Sequence, residues 1–497
     1  MSKRSASGGL GSLATGAVTA VALAVQTGLA AVVGVIIARE LGRTAETDGF
    51  FASYGVFIVL ALAATAMRVT VLPPLARARD EQRLSVETVA YAGALAAVAV
   101  PIVVAGTLAA EPVAALLTGF GPESARDAAA RTLPWLLVAA LGQFAAGLLA
   151  SAFAALDDYL TPAAGYVAGS LGGLALILLT IGDDGVLAVA WGMALNATVA
   201  TAVPAVALAW RARRERMPRA AVRPQRGGTG RRLRELLSGA ALPFALQAVY
   251  LVCLPIAARG EVGDVTSFGY AYLVGAGVVA VAGSSLGLVT SVPLTRAGID
   301  GRKVATHVDA ASWLALLAIG ATAGIFAVAG GTILRAVLGG AYGTEVGEEI
   351  GLLVVALAPW MIVSVGVTVT FPLVFVARRG ASLPIVALAV VALHVPLAFA
   401  GQALAGLWGL AAALALSTAV ALAWMLDLLD ALRTALGGLA HASLLVGALV
   451  ALAYVLPALV LDGIPAAAVG TLAFVVLLVA LRPRGLRASW AYLRELA

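Results

Sequence analysis

The stretch ARELGRTAETDGFF, residues 38–51, sets Arg39, Glu40, Arg43, Glu46 and Asp48 between an apolar run that begins near Ser12 and another that continues to Ala76. Charge inside hydrocarbon is costly, so a polar stretch of this density must lie at a membrane surface, with an apolar helix on either side. Runs of this kind recur along the chain and are mostly 19 to 29 residues long. At about 1.5 Å per residue they span the roughly 30 Å of a bilayer core as helices. Barrel strands would be about half as long and would alternate in polarity.

Composition agrees. With 62% hydrophobic and 12% charged residues and a mean hydropathy of +1.01, the 497-residue chain has more apolar surface than a soluble core could cover. Lys3 and Arg4 precede the first apolar run as in a secretory signal. That run of about 27 residues is too long for a cleaved one and reads as a retained first helix. The chain has one cysteine, Cys253, so an intrachain disulfide is excluded, and its apolar surroundings make it a small packed hydrophobe.

The apolar segments fall at 12–38, 49–76, 88–110, 128–156, 161–181 and 185–210, and after a polar break at 237–258, 265–293, 308–334, 350–377, 382–400, 405–430, 438–461 and 464–481. They predict an all-α integral membrane protein of about fourteen transmembrane helices. With the N-terminus inside, the outer face receives Arg39, Arg43, Arg126, Arg131, Arg259 and Arg335, and Arg68 falls within a span; the other 25 of the 32 Lys and Arg collect on the cytoplasmic side. That asymmetry predicts both termini in the cytoplasm. Ten arginines lie between Arg211 and Arg234, which accounts for much of the pI near 9.7 without invoking nucleic acid. This segment reads as a topology-fixing linker, or as a site for anionic lipid or a partner.

The two sides of the linker echo one another. Pro134-Trp135, Pro162 and Trp191-Gly192 before it match Pro359-Trp360, Pro384 and Trp408-Gly409 after it, with similar spacings. More faintly, Gln26 precedes Arg39 much as Gln247 precedes Arg259. The pattern predicts a six-helix repeat. Because six is even, both copies enter from the same side and are related by an axis along the membrane normal, around a central cavity. The expected domains are an N-lobe at 1–210, the linker at 211–236, a C-lobe at 237–431, and two further helices with a basic tail at 432–497.

Arg68 is the sharpest polar signal within a span. It reads either as a cation for substrate or as a side chain that snorkels to the cytoplasmic face. Gln26, Gln143, Asn196 and Gln247, with Ser284, Ser285, Thr368 and Thr370, either line a hydrated cavity or bond between helices. His394 reads either as a packed histidine or as a proton carrier. No helix centre carries Asp or Glu, and the chain has no phosphate-binding GxxxxGK[ST], no zinc motif and no nucleophile beside a base. These absences predict no cofactor, no metal, no direct ATP use and no enzymatic activity. The preference for 30 Arg over 2 Lys, with abundant Ala, points to a GC-rich bacterium.

The 38–51 stretch resembles the junction of the first two helices in the peptidoglycan lipid II flippases (MurJ, also called MviN) of the multidrug, oligosaccharidyl-lipid and polysaccharide exporter (MOP) superfamily. Ala38, Arg39, Gly42, Thr47, Asp48, Phe50 and Phe51 stand at the positions of that family's pattern. Gly263 to Ser267 followed by Tyr270-Ala271 is similar to its eighth-helix pattern, and Gly406-Leu407-Trp408-Gly409-Leu410-Ala411 to its GxxGLA. The departures concern phosphate. Where the family has arginines facing the cavity, this chain has Thr27, Val33 and Leu273, none of which supplies a bidentate cation.

The resemblance implies the MOP fold, two six-helix lobes plus two C-terminal helices, in a bacterial plasma membrane. It implies a flippase that moves a lipid-linked saccharide precursor, lipid II-like or a polysaccharide intermediate, by alternating access. Arg68, Gln26, Gln143 and Gln247 would then bind substrate, and Arg39, Arg43 and Asp48 would form the outer gate. The other readings are a drug or small-molecule antiporter of the MATE type, and a transport-inactive scaffold that recruits cell-envelope synthesis proteins among membrane lipids.

Overall fold

The computed structural model describes residues 28–214, 228–297, 301–377 and 379–496, apart from the side chains of 65–66, 69–70, 229, 231, 233–239, 283–297, 344, 493 and 495–496. Those residues are almost entirely helical, with no strand. The chain divides into two compact units, Met1–Gln247 and Ala248–Ala497.

In the first unit the 38–51 stretch forms two helix ends back to back. Helix α1, residues 28–41, stops at Gly42, whose φ of 67° a side chain would resist and whose N–H donates to Ala38 O at 3.2 Å. Helix α2, Ala45–Asp80, starts from Thr44. The Thr47 N–H donates to Thr44 Oγ1 at 3.3 Å and the Thr44 N–H to Thr47 Oγ1 at 2.8 Å, a reciprocal box built from two threonines. Glu46 and Asp48 occupy the first turn, where the helix dipole favours anions. Phe50 and Phe51 are buried, and Phe50 stacks on Tyr54 with centroids 5.6 Å apart.

After α3, Leu84–Leu108, and the short α4, Ala110–Leu117, the chain enters α5, Glu123–Ala155. Helices α2 and α5 run parallel and close. The Gly49 backbone lies against the Ala125 carbonyl, Ser53 Oγ meets Thr132 Oγ1 at 2.8 Å, and a Cβ on Gly147 would stand 3.5 Å from Ala64 O. Helices α6, Leu160–Asp184, and α7, Val186–Arg214, fold back on each other through Gly185 (φ 54°, ψ −127°). A Cβ on Gly173 would stand 2.5 Å from Gly192 O, so the two backbones are in direct contact. Trp135 meets Trp191 edge to face at 6.2 Å, which joins two of the proline and tryptophan landmarks of the repeat.

Both ends of the basic segment are helical: Arg211, Arg213 and Arg214 close α7, and α8 begins at Gly228. Among the described residues there, Arg211 and Arg232 are held in ion pairs. Arg211 pairs with Asp158 and lies 5.3 Å from the Phe153 ring, and Arg79 Nη1 reaches Asp157 Oδ2 at 2.7 Å. Asp158 also accepts from the Thr161 N–H at 3.0 Å and the Thr161 hydroxyl at 2.9 Å. Burial pushes the Asp158 carboxyl up, but the two Thr161 bonds and the Arg211 charge outweigh it and hold it below its ordinary value. Arg232, on α8, donates Nε to Glu87 Oε1 at 3.0 Å and Nη2 to both carboxylate oxygens at 2.9 and 3.0 Å. Both side chains are at most 5% exposed, and the Tyr91 ring lies 5.7 Å from the guanidinium.

Helix α8, Gly228–Ala257, runs across the division at Gln247, and in the second unit it is followed by α9, Asp264–Ala297, and α10, Gly301–Leu338. The expected segment at 350–377 is two helices, α11, Thr344–Ala356, and α12, Ala358–Val376. Pro359 lacks the N–H that would continue α11. The expected segments at 382–400 and 405–430 are the two arms of α13, Leu383–Leu428, which breaks at Ala405 and at Gly406 (φ 56°, ψ −137°). The arms pack backbone to backbone at Gly401 and Gly409. Gly406 thus has nearly the conformation of Gly185, and both hairpins close on paired glycines.

Helices α14, Leu432–Ala458, and α15, Gly463–Leu481, pack beside α10, with Tyr454 wedged between Gly324 and Gly470 and its hydroxyl 3.0 Å from Thr471 Oγ1. The basic tail is an amphipathic helix, α16, Arg484–Leu496. Gly485 lies against Trp313, and Tyr492 Oη is 3.3 Å from His307 Nδ1. Among the described residues twelve helices are long and apolar enough to span a membrane, one of them the broken α13. The expected first segment, 12–38, lies largely outside the described residues.

Three outcomes are expected in the purified protein. Gly173→Leu should destabilise it by at least about 1–3 kcal/mol through overpacking, whereas Gly182→Ala, where a Cβ meets nothing within 4 Å, should leave thermal unfolding unchanged or raise the midpoint. Glu87→Met alone should cost about 3–5 kcal/mol because it strands a buried guanidinium, and Glu87→Met with Arg232→Met should recover most of that loss in the same unfolding assay. The stabilisation from ionised Asp158 is present above its ordinary pKa of 3.8 and is lost as pH falls below it. The unfolding midpoint of Asp158→Asn should therefore be lower at neutral pH and fall less steeply on acidification than that of the native chain.

Candidate functional site

Arg68 sits deep in α2. About 36 Å of helix separates it from the Thr44 cap at 1.5 Å per residue, slightly more than one hydrocarbon thickness. If the cap lies at one membrane face, the guanidinium is therefore within snorkelling reach of the other. Its aliphatic stem lies against Gly147 of α5, where a Cβ would stand 3.5 Å from Arg68 Cγ. Arg68 is exposed within the protein, and its charge reaches the Tyr166 hydroxyl on α6.

Gln143 lies one helical turn before Gly147 and is half-buried, so α5 carries an amide and the contact with Arg68 along one face. The structure thus brings Arg68, the Gln143 face and Tyr166 to one region of the first unit. Tyr166 did not stand out in the sequence, where it is one aromatic in a run of small and apolar residues. The available signal was its hydroxyl, since a tyrosine inside a span carries a polar tip that needs a partner or water. Chemically the group offers a permanent cation, an amide and a phenol, a set suited to an anionic oxygen-rich group.

The other expected residues fall elsewhere. Gln247 is half-buried on α8, at the last position of the first unit. Gln26 and Thr27 lie outside the described residues, as do the side chains of Ser284 and Ser285. Val33 on α1 and Leu273 on α9 are half-buried aliphatic residues. Arg39 is exposed at the end of α1, Arg43 is half-buried between the two caps, and Asp48 is buried in the first turn of α2. Asn196 packs into the α6–α7 contact, where a Cβ on Gly169 would meet its Oδ1 at 2.8 Å, and that buried oxygen has no hydrogen-bond partner.

His394 has neighbours that sequence spacing could not reveal. It is fully buried, with Nδ1 2.9 Å from Ser417 Oγ and Nε2 3.4 Å from Cys253 Sγ. Ser417 also donates to Ala413 O at 2.7 Å and Cys253 to Val249 O at 3.4 Å. These contacts link three buried polar groups and tie α8 to both arms of α13. The second unit also holds a ring stack, Tyr250 on Tyr272 at 3.7 Å and Tyr272 beside Trp360 at 4.8 Å. Among the described residues no cluster of His, Cys, Asp and Glu is placed to hold a metal ion.

No family model and no curated protein sequence matches the chain. Solved structures do. The lipid II flippase MurJ in an inward closed conformation superposes with a TM-score of 0.70 at 14% identity, over 93% of this chain and 98% of that one. An inward-facing multidrug resistance MATE family transporter of the MOP superfamily gives 0.63 at 15% identity, over 86% and 98%. A MOP superfamily transporter from Pyrococcus furiosus gives 0.55 at 16% identity, over 87% and 94%. The chain therefore has the fold of the MOP superfamily transporters, and is a many-helix membrane protein built on the same plan as the solved lipid II flippase.

Proposed function

We propose that this protein is an alternating-access flippase that moves a lipid-linked saccharide precursor across a bacterial plasma membrane. The observation that carries the proposal is the match to the lipid II flippase across nearly the whole of both chains, at a TM-score of 0.70 against 0.63 for a MATE transporter. The two C-terminal helices α14 and α15 fit the same reading, as does a cation in the first unit.

In this reading residues 1–210 and 237–431 are the two lobes, 211–236 the cytoplasmic linker, and 432–497 the added helices and basic tail, with both termini cytoplasmic. Arg68 meets a phosphate of the head group, assisted by Gln143, while Gln26 and Gln247 bond to the saccharide. Arg39, Arg43 and Asp48 work at the outer gate beside the Gly42 and Thr44 caps. The polyprenyl chain stays in lipid. Since Thr27, Val33 and Leu273 carry no charge, Arg68 carries more of the phosphate recognition than any one cation in a many-arginine cavity would.

Complementation tests this. The chain should restore growth to cells depleted of their own lipid II flippase, and Arg68→Ala should lower that rescue by at least about tenfold, the worth of roughly 1.5 kcal/mol for one charge-assisted bond, at unchanged membrane level. Failure of a well-inserted native chain removes lipid II as substrate, and full rescue by Arg68→Ala removes the role of Arg68.

A further inference from the structure

Helix α10 is too long for one bilayer crossing. Its 38 residues measure about 57 Å at 1.5 Å per residue, nearly twice the roughly 30 Å hydrocarbon core. Helix α15 shows which part crosses. Its 19 apolar residues, Gly463–Leu481, are about 28 Å long and match the core. At its start Gly463 lies against Thr332, where a Cβ would stand 3.0 Å from Oγ1, and just beyond its end Gly485 lies against Trp313. Trp313 and Thr332 are 19 residues apart on α10, the same length. The crossing is therefore about 313–332, and the first three turns of α10 lie outside hydrocarbon, at the face that carries Arg482, Arg484 and Arg487.

Asp309 stands in that outer part, on the side of α14. The two helices run parallel, with Asp309 at Gly438, Gly320 at Val446 and Val450, and Gly324 at Tyr454. The carboxyl lies directly on the α14 backbone: a Cβ at Gly438 would stand 2.5 Å from Asp309 Oδ1 and 3.1 Å from Cγ. Oδ1 is buried and has no hydrogen-bond partner. Gly438 is past the first turn of α14, so its own N–H is committed within the helix and cannot serve. A carboxylate oxygen without a donor is costly to bury, and a neutral carboxyl costs less. Burial accordingly pushes the Asp309 carboxyl above its ordinary value of 3.8, against the opposing charge of His441, which is exposed one turn further along α14. Of the other described groups around this end of α10, Arg302 and Lys303 of α10 itself, Asp427 of α13, Arg433 of α14, Arg482 after α15, and Arg484, Arg487 and Arg494 of α16 are exposed. Asp430 pairs with Arg379, and His307 meets Tyr492 of α16. The α9 side chains from 283 to 297 lie outside the described residues.

We propose that Asp309 is a proton-binding site through which the packing of α14 on α10 responds to pH. With Gly438 against it the carboxyl holds a proton; when α14 draws back, water reaches Oδ1 and the proton leaves to solvent. The site belongs to the second unit and does not depend on what the protein transports. Below pH 3.8 the carboxyl is protonated whether α14 is packed on it or not, and the contact is at its strongest. As pH rises through the raised value, the packed form either keeps a proton that free water would take or strands a carboxylate, and the contact weakens.

Infrared titration of the purified full chain tests this. The carboxylic acid C=O band that is missing from Asp309→Asn should persist above pH 3.8 in the native chain. Gly438→Ala, whose Cβ drives α14 off the carboxyl, should return the loss of that band to the ordinary range. Asp309→Asn should also raise the thermal unfolding midpoint at neutral pH, a gain that disappears below pH 3.8. An Asp309 band already lost at pH 3.8, a band unmoved in Gly438→Ala, or an unchanged or lower midpoint for Asp309→Asn at neutral pH overturns the proposal. If Gly438→Ala does not fold, the native band and the Asp309→Asn midpoint decide it.

Discussion

Within hydrocarbon a helix gains nothing by hiding apolar side chains from lipid that is equally apolar, so helices associate where their backbones come close enough for dense van der Waals contact. That constraint shapes both units. Gly49 on Ala125, Gly173 on Gly192, Gly401 on Gly409 and Gly330 on Gly351 are positions where a Cβ would strike a neighbouring backbone. The remaining architecture is hung on these contacts. The α6–α7 hairpin and the two arms of α13 both close on such pairs, and both turn at a glycine with φ near +55°.

Charge follows the complementary rule. Apart from residues such as Arg68, the carboxylate and guanidinium groups that form the described ion pairs sit near helix ends, where the cost of desolvation is offset by partners and water. Asp158 shows this on a small scale, holding the start of α6 through Thr161 and the end of α7 through Arg211. The Glu87 and Arg232 pair goes further, since both members are nearly inaccessible, and it fixes the beginning of α8 on α3. A buried pair contributes little net stability against an apolar substitute, but it permits one arrangement only, because a displaced partner leaves an uncompensated charge. The 38–51 stretch carries paired helix caps, with Gly42 ending one helix and Thr44 and Thr47 beginning the next.

The sequence by itself determined that this is a many-helix membrane protein, because apolar runs of bilayer length leave the backbone no other way to satisfy its hydrogen bonds. It located the two-helix junction, whose Gly, Thr and Asp are local signals read within one turn of chain. It also brought out the proline, tryptophan and glycine landmarks shared by the two halves. A break between 400 and 405 was expected and falls at Ala405 and Gly406, whereas the break at Leu357 was missed because 350–377 reads as one unbroken apolar run. The candidate site was legible only in part. Arg68 stands out as a charge in a span, whereas nothing local announces that its stem lies beside Gly147 or that its charge reaches Tyr166.

Only the tertiary structure decided which distant residues meet. Glu87 and Arg232 are separated by 145 positions, and His394 is separated from Cys253 by 141. His394 has no ligand-like neighbour in sequence, yet in the fold it is bonded to a thiol and a hydroxyl. Segment-by-segment reading reaches propensity, caps and hydropathy, which act over one helix turn or one span. Partner choice between helices depends on the register at which small residues let two backbones touch, and that register is a property of the packed pair rather than of either helix alone.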